Sequence, residues 1–430
     1  MQFVINPKPL GHYDVIIAGG GIAGSFAAIS ASREGAKVLL VESGGCLGGT
    51  LTSGSVPSIM DEKGKGGLIG ELFAFLNQRG MSVARFGKKI DETGKKIPGR
   101  IVDVEGCKQF LEQKVLSSGG EILYYSRIAA VDTSEKNGKT HLNGVLICTE
   151  AGNYSASAQF FIDATGNGNL AALCGCDYEC GNPEDGRISP ASTGFTVVGY
   201  PDDYDGTDGA AQKREYSNML LENGISISAE EAGIVRLPAM KQWDFSLDYQ
   251  YGVRPDDIHS ITQATINSRK EIFDAMEAHK RIPGYEQLWL THTADHLGIR
   301  EGRRILGNYR ITLNDIIEGR RFEDGICLVR MGIDLHKTHA SDSLNASRGI
   351  KNKPYEIPYR SLLPQTTDNL LLAGRCLSGE FLPHASYRMM GNMGATGEAA
   401  GFAAIYALRY GLKLEDVPSA VLRQRMQEYL

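Results

Sequence analysis

Residues 14–42 read DVIIAGGGIAGSFAAISASREGAKVLLVE, and this stretch decides the fold. An apolar run leads into the glycine pattern GGGIAG at residues 19–24, a small-residue helix follows, and a second apolar run ends on Glu42. Strand, glycine turn, helix, strand and terminal acid occur in the order of a nucleotide-binding βαβ unit. The stretch therefore predicts that the chain binds an adenine dinucleotide.

Each glycine of this pattern has its own physical role. Gly19 allows a tight turn, Gly21 lets the backbone approach a pyrophosphate, and Gly24 lets the helix pack closely on the sheet. The start of the helix then offers N–H groups to the phosphates. Glu42 can accept hydrogen bonds from both ribose hydroxyls of an adenosine. These residues alone do not distinguish NAD from FAD.

Composition limits the classes of protein to consider. The chain has 430 residues, a net charge of −6 and 42% hydrophobic residues, which predicts two to three structural units of ordinary size. We expect no nucleic-acid partner because no basic run stands out. We expect no membrane span because no apolar run is long enough. The first residues do not resemble a signal peptide, and the eight cysteines show no disulfide spacing, so we expect a cytoplasmic protein.

The order of patterns predicts an α/β protein with an insertion. Residues 1–185 form the first part of a Rossmann-like domain, 186–360 form an inserted α+β substrate or cap domain, and 361–430 return to the first domain. The pattern predicts helices at 67–79, about 104–116, 209–223 and 257–280, a β-meander near 122–163, and an exposed hairpin or loop at 81–100. A buried strand and a glycine-led, alanine-rich helix at 391–411 close the chain.

The motifs together resemble the FAD-dependent oxidoreductases of the glutathione-reductase-like flavoprotein fold. The chain is most similar to bacterial FAD-dependent oxidoreductases typified by putative xanthan-lyase-like flavoproteins. The resemblance covers almost the whole chain. It is carried by LGG at 47–49 with Thr52, FIDATG at 161–166, REGRR at 300–304 with Gly307, IDLH at 333–336, GRCLS at 374–378, RM at 388–389 and GEAAG at 397–401.

This resemblance implies FAD as the cofactor and assigns individual contacts to it. The pyrophosphate is expected at the glycine turn, the ribose at Glu42 and the flavin over the start of the last long helix. The implied cofactor-binding residues are Gly19, Gly21, Ile22, Ala23, Gly24, Glu42, Gly48, Gly49, Thr50, Ile128, Thr165, Gly166, Gly374, Arg375, Gly394 and Ala395. No metal site is implied. The cluster Cys174, Cys176 and Cys180 completes no known ligand spacing.

Four residues are the candidates for catalysis: Arg300, His336, His384 and Arg388. Flavin carries the redox step, so the protein must move a proton and orient the substrate. An arginine can hold a carboxylate or a developing oxyanion, and a histidine can act as acid or base. Each of the four can instead have a purely structural role, in which it donates a hydrogen bond to a buried carbonyl group.

The predicted function is hydride transfer between bound flavin and a small organic substrate, such as an alcohol, an amine or an activated C–C bond. An external electron acceptor or oxygen would complete the cycle. Two alternatives are a flavin-dependent monooxygenase and a non-catalytic FAD-binding protein; against the first, no second GxGxxG pattern occurs. The substrate, the reaction direction and a homo-oligomeric state stay open.

Overall fold

A computed structural model describes residues 5–85, 99–201, 209–237, 241–342, 347 and 349–430. The described residues form ten α-helices: α1 (Ile22–Arg33), α2 (Gly67–Gln78), α3 (Val104–Ser117), α4 (Asn169–Leu173), α5 (Gly209–Glu222), α6 (Ile258–His279), α7 (Leu313–Glu318), α8 (Phe381–Tyr387), α9 (Met390–Tyr410) and α10 (Ser419–Arg425).

They also form eighteen strands: β1 (Lys8–Ala18), β2 (Val38–Val41), β3 (Ser58–Ile59), β4 (Ser82–Arg85), β5 (Gly99–Val102), β6 (Glu121–Leu123), β7 (Ser126–Lys136), β8 (Lys139–Thr149), β9 (Gly152–Asp163), β10 (Tyr178–Glu179), β11 (Phe195–Val198), β12 (Gly233–Arg236), β13 (Trp243–Ser246), β14 (Trp289–Thr293), β15 (Arg304–Ile305), β16 (Gly325–Val329), β17 (Tyr355–Pro358) and β18 (Leu370–Leu372).

The main sheet contains seven strands in the order β6-β2-β1-β9-β8-β7, with β18 paired to the last part of β9. Strands β6, β2, β1, β9 and β18 run parallel, whereas β7, β8 and β9 form the antiparallel meander. The second half of β1 and all of β2 are buried, as expected for parallel strands that are covered on both faces. This sheet confirms the α/β fold class and the βαβ unit.

Two helices pack tightly against each other on one face of the main sheet. A side chain at Gly397 of α9 would overlap the backbone of Ala23 in α1, and one at Gly401 would overlap the backbone of Ala27. The glycines therefore let α1 and α9 approach to backbone contact. Helix α9 ends at Gly411, which has a left-handed φ of 63°.

A second sheet has the antiparallel order β12-β13-β11-β14. It shares a separate core with α5 and α6, and the buried apolar residues of this core extend from Phe195 to Leu288. From Ile305 onward, buried residues such as Ile326 and Tyr355 belong to the core of the main sheet. The boundary at 360 stays a prediction, and the separation of the two cores favours an earlier boundary near 303.

The predicted helices are present at α2, α3, α5 and α6, and a complete capping box joins Thr312 and Asp315 at the start of α7. The predicted hairpin or loop at 81–100 falls mostly outside the described residues. Its described ends, β4 and β5, pair in antiparallel fashion. Among the helices that the structure describes, none is both long and apolar enough to span a bilayer.

Candidate functional site

A cavity of about 1300 Å³ lies at the carboxyl ends of β1, β2, β9 and β18, with residues of the second sheet also lining it. Ligands of parallel α/β sheets bind at this edge. The predicted cofactor residues that line the cavity are Gly19, Gly21, Ile22, Ala23, Glu42, Gly48, Gly49, Thr50, Ile128, Thr165, Gly166, Gly374 and Arg375. Of the candidate catalytic residues, Arg300, His336 and Arg388 line it as well.

The three glycines of the nucleotide-binding turn differ in their surroundings. Gly19 has a φ of 92°, and a Cβ there would lie 2.7 Å from the Ala164 oxygen. A Cβ at Gly24 would overlap the Gly19 oxygen, so Gly24 is a packing position beneath the cavity rather than part of its lining. A Cβ at Gly21 would have no neighbouring atom within 4 Å. Of the three, only Gly21 has open space on the side where a Cβ would stand, although Gly19 lines the cavity as well.

The loop after β2 is held against this turn. The Gly48 N–H donates to the Gly20 oxygen at 2.8 Å, and Gly48 has a left-handed φ of 107°. A Cβ at Gly49 would lie 3.0 Å from the Cα of Gly21. The two glycine segments thus form one continuous backbone surface on the cavity.

Glu42 is buried at the end of β2 and already has three donors. Its carboxylate accepts from the Gly20 N–H at 2.5 Å, from the Gly44 N–H at 2.6 Å and from the Ser43 hydroxyl at 3.1 Å. A carboxylate offers about four acceptor positions. Glu42 therefore has room for about one ribose hydroxyl unless Ser43 turns away.

Asp163, at the end of β9, organises the loop that carries Thr165 and Gly166. Its carboxylate accepts from the Thr165 N–H at 3.0 Å and from the Ala171 N–H at 2.8 Å, and burial raises the pKa of Asp163. Gly166 has a φ of 74°, and a Cβ there would lie 2.7 Å from Nη2 of Arg375. In the sequence, Asp163 stands out only as part of the FIDATG motif, and no pattern there indicates this positioning role.

The last long helix was predicted at 391–411 and is present, but the expectation that Gly394 and Ala395 form its first turn was wrong. Helix α9 begins at Met390, so Gly394 and Ala395 lie in its second turn, buried and away from the cavity lining. The N–H of Gly391, in the first turn, donates to the Met60 oxygen at 3.0 Å. The glycine pattern was misleading because Gly394 packs against Phe26 of α1. Three methionines line the cavity here: Met389, Met390 and Met393.

A cluster of polar side chains surrounds Arg388, which lies between α8 and α9. Arg388 donates from Nη2 to the Asp334 main-chain oxygen at 2.7 Å, and its guanidinium lies 3.5 Å from the Asp334 carboxylate. His336 Nδ1 lies 2.8 Å from the Tyr249 hydroxyl, and its Nε2 lies 4.0 Å from Asp334 Oδ2. The Arg300 guanidinium lies 5.1 Å from the centre of the Tyr249 ring.

We call Tyr249, Arg300, Asp334, His336 and Arg388 the cap cluster. Burial and then the Arg300 charge lower the pKa of His336 well below its usual 6.5. Burial acts to raise the pKa of Asp334, but Arg388, His336 and Arg300 together lower it. Burial raises the pKa of Tyr249 to about 12. At neutral pH the imidazole and phenol are therefore uncharged and the carboxylate is ionised.

His384 does not line the cavity. It is buried in α8, and its Nε2 donates to the Arg375 main-chain oxygen at 3.1 Å. Burial lowers the pKa of His384 well below its usual value. This geometry favours the structural alternative for His384, which fixes the backbone at Arg375.

Residues 295–300 also border the cavity, although no motif in the sequence indicated most of them. The N–H of Asp295 donates to the Ser53 oxygen at 3.0 Å, and Arg375 donates from Nη1 to the Ile299 oxygen. His296 borders the cavity close to Gly44. This segment joins the second sheet to the nucleotide-binding loops by backbone contacts, which leave no side-chain pattern in the sequence.

Glu42 and the cap cluster occupy different ends of the cavity. Glu42 follows β2, whereas the segment leading to Arg388 follows β18, and β1 and β9 lie between these two strands. Three strand spacings separate β2 from β18, or about 14 Å. An extended dinucleotide can therefore have its adenosine near Glu42 and its other end near Arg388.

Comparison with known proteins identifies the family. The family model described as FAD dependent oxidoreductase matches residues 14–427. The chain belongs to this family. The match covers both parts of the main sheet and the second sheet between them, and it shows FAD as the cofactor and an oxidoreductase as the class of enzyme.

Individual relatives are more distant. A digeranylgeranylglycerophospholipid reductase from Methanococcus vannielii is 28% identical over 131 residues, which cover 30% of this chain and 33% of that protein. The matched stretches span a third or less of the length of such relatives.

Solved structures show the same fold. A p-nitrophenol 4-monooxygenase from Pseudomonas putida aligns with a TM-score of 0.53 and 13% identity over 98% of this chain and 86% of that chain. A geranylgeranyl bacteriochlorophyll reductase-like protein from Thermoplasma acidophilum aligns with a TM-score of 0.50 and 14% identity over 97% of this chain and 82% of that chain. At these identities the likeness establishes the fold alone.

The cavity fits FAD. Its volume of about 1300 Å³ exceeds the ~300–1000 Å³ of an ordinary ligand pocket. Backbone at Gly21, Gly48 and Gly49, which lines the cavity, would hold the pyrophosphate, and Glu42 would hold the ribose. The space beside the cap cluster is then available to the flavin and a substrate.

Proposed function

We propose that the protein transfers a hydride between bound flavin and a small organic substrate at the cap cluster. The observation that carries this proposal is that Arg300, His336 and Arg388 line the same cavity as the cofactor-binding residues. The strand order puts β18, which precedes the segment leading to Arg388, three strand spacings from β2 and Glu42. FAD supplies two-electron redox chemistry when bound. The side chains of the cap cluster would bind the substrate and accept or donate the proton that the reaction transfers.

Arg388 would orient the substrate. Its side chain is only 10% exposed, and two oxygens of Asp334 fix its position. A guanidinium held in this way can bind an anionic or carbonyl oxygen without first losing side-chain freedom. Arg388 therefore contributes orientation and charge, and no proton transfer is assigned to it.

His336 would hold or move the proton. In the tautomer whose Nδ1–H donates to the Tyr249 hydroxyl, the free lone pair is on Nε2. Protonation at Nε2 would create an imidazolium that faces the Asp334 carboxylate at 4.0 Å. The Asp334 carboxylate partly offsets the burial and the Arg300 charge that disfavour this imidazolium, which gives His336 the arrangement of an oriented but weak general base.

Anaerobic mixing of the FAD-loaded protein with alcohols, amines and activated alkanes tests this function. Loss of the visible flavin absorbance identifies an oxidised substrate. Activated alkenes are added to the photoreduced protein in the same way, where return of the absorbance identifies a reduced substrate. Fast reoxidation in air with peroxide release indicates an oxidase, and slow reoxidation indicates a dehydrogenase or a reductase.

A matched control for the substitution of Arg388 is available at the far end of α9. Arg409, in the last turn of α9, forms an exposed ion pair with Glu34 far from the cavity. Arg409→Ala should reduce its flavin at the wild-type rate. Flavin reduction by NADH or NADPH alone, with oxygenated product and no reaction with the substrate panel, would contradict hydride transfer and support the monooxygenase alternative.

A further inference from the structure

The cap cluster contains more positive than negative charge. Arg300 and Arg388 both line the cavity. In the described part of the chain, Arg388 has one ion-pair partner, Asp334 at 3.5 Å, and Arg300 has none within 4 Å. Two guanidinium groups therefore share one carboxylate. A charge in a partly dehydrated cavity is costly unless it is paired, so this end of the cavity favours an anionic ligand.

The uncharged neighbours do not remove this excess. The lowered pKa of His336 and the raised pKa of Tyr249 leave both side chains neutral near pH 7. Asp248 lies deeper, with its carboxylate accepting from the Thr193 N–H at 2.9 Å, and burial raises its pKa. His336 and Tyr249 therefore provide no second negative charge, and the Asp248 carboxylate is engaged by the Thr193 N–H.

Both guanidinium groups are held in place before a ligand arrives. Arg300 donates from Nη1 to the Pro190 oxygen at 2.6 Å and lies against the Tyr249 ring. In the described residues these contacts use one of its five N–H donors. Arg388 is fixed through Nη2 by Asp334 and has a long contact from Nη1 to the Arg300 oxygen at 3.5 Å. Planar N–H pairs at fixed positions match the two oxygens of a carboxylate.

We propose that the substrate carries a carboxylate, which Arg300 and Arg388 bind next to the bond that is oxidised or reduced. Within the cap cluster, the two guanidinium groups and the one carboxylate leave an excess of one positive charge, which a monoanion balances more closely than a phosphate group, which carries about −1.5 to −2 at pH 7. The substrate class is therefore a small organic acid. This inference rests on the proposed function for the identity of the site.

The flavin of the loaded protein can report binding. Acetate and benzoate are titrated in parallel with acetamide and benzamide, which have similar shapes and no charge, and with inorganic phosphate. We expect at least one acid to shift the visible flavin spectrum in a saturable way, with a Kd at least tenfold lower than that of its amide or of phosphate. Equal affinity for acid and amide, no binding of either acid, or tighter binding of phosphate overturns the proposal.

Arg300→Gln is the informative variant because, among the residues that the structure describes, Arg300 has no ion-pair partner that its loss would leave unpaired. We expect the Kd for the bound acid to rise at least tenfold while FAD content stays at the wild-type level. Arg300→Lys keeps the positive charge but not the planar pair of N–H donors, so its Kd for the acid should rise less than that of Arg300→Gln. Arg127→Gln is the matched control, since Arg127 lines the cavity beside Ile128 instead. If the Kd for the acid rose equally in Arg127→Gln, the overall positive charge of the cavity rather than Arg300 itself would determine the affinity, which would contradict the assignment.

Failure of this inference is distinguishable from failure of the proposed function. Selective binding of acids supports the carboxylate site but removes hydride transfer if no organic donor reduces the flavin and no activated alkene reoxidises the photoreduced flavin. Flavin reduction by neutral alcohols or amines at the same rate in wild type and Arg300→Gln keeps hydride transfer and removes the carboxylate.

Discussion

Replacement of Glu42 by alanine should weaken FAD binding, and the number of free acceptor positions on the Glu42 carboxylate limits how much affinity is lost. Three donors already occupy the Glu42 carboxylate, so about one acceptor position is left for a ribose hydroxyl. One hydrogen bond to a charged group contributes about 1.5–3 kcal/mol. Since about 1.4 kcal/mol corresponds to a tenfold change, the Kd for FAD should rise roughly 10- to 150-fold.

The same variant should also destabilise the protein without FAD. Glu42→Ala removes the acceptor of two backbone N–H groups, at Gly20 and Gly44. An unpaired buried donor costs about 1–3 kcal/mol, so the free energy of unfolding should fall by about 2–4 kcal/mol once water partly replaces the carboxylate at half-buried Gly44. The chain should still fold, because the main-sheet core is untouched.

Two measurements on the FAD-free protein separate these effects. Quenching of FAD fluorescence on titration gives the Kd, and urea unfolding gives the stability. Glu34→Ala is the control, because it removes an acid that pairs with Arg409 at the end of α1, off the cavity. An unchanged Kd in Glu42→Ala would refute the ribose assignment. A Kd raised far beyond 150-fold would refute the count of free acceptor positions.

Three further predictions concern the turn and the cap cluster. Gly24→Ala should cost at least about 1–3 kcal/mol in urea unfolding because its Cβ would overlap the Gly19 oxygen, whereas Gly70→Ala, with open space around it in α2, should be neutral or stabilising. Arg388→Ala should retain FAD and lower turnover at least tenfold, about 1.4 kcal/mol; unchanged turnover would remove it from the site. Because the pKa of His336 is lowered to about 3, its base form persists well below pH 6.5, so kcat/KM should stay flat from about pH 8 down to about pH 5; an ordinary histidine of pKa ~6.5 would lose about tenfold by pH 5.5, and such a loss would contradict this role.

The nucleotide-binding half of the cavity was predictable because its signals are local. Gly19, Gly21 and Glu42 follow two short apolar runs within one stretch of 29 residues. Their conformations depend on backbone sterics and on strand edges that the same stretch provides. The capping box at Thr312 and Asp315 was predictable for the same reason.

Two residues lie elsewhere than the sequence suggested, because segments that are distant in the chain determine their surroundings. The glycines near 394 suggested a helix start, but Gly394 is small because Phe26 of α1 packs against it. His384 was a catalytic candidate by its position in the chain, whereas the fold turns it toward the Arg375 oxygen. A residue type indicates which contacts are available, and only the packing shows which one is made.

The amino-acid sequence by itself determined the βαβ unit, the turn at Gly19–Gly24 and the acid at Glu42, since each depends on residues within one supersecondary unit. Tertiary structure alone determined that the members of the cap cluster lie together. Tyr249, Arg300, Asp334 and Arg388 come from well-separated segments, and their charges matter only at the short distances that the fold creates. The physical reason is that pKa shifts and charge excess depend on burial and on spacing in space, which the order of residues along the chain does not contain.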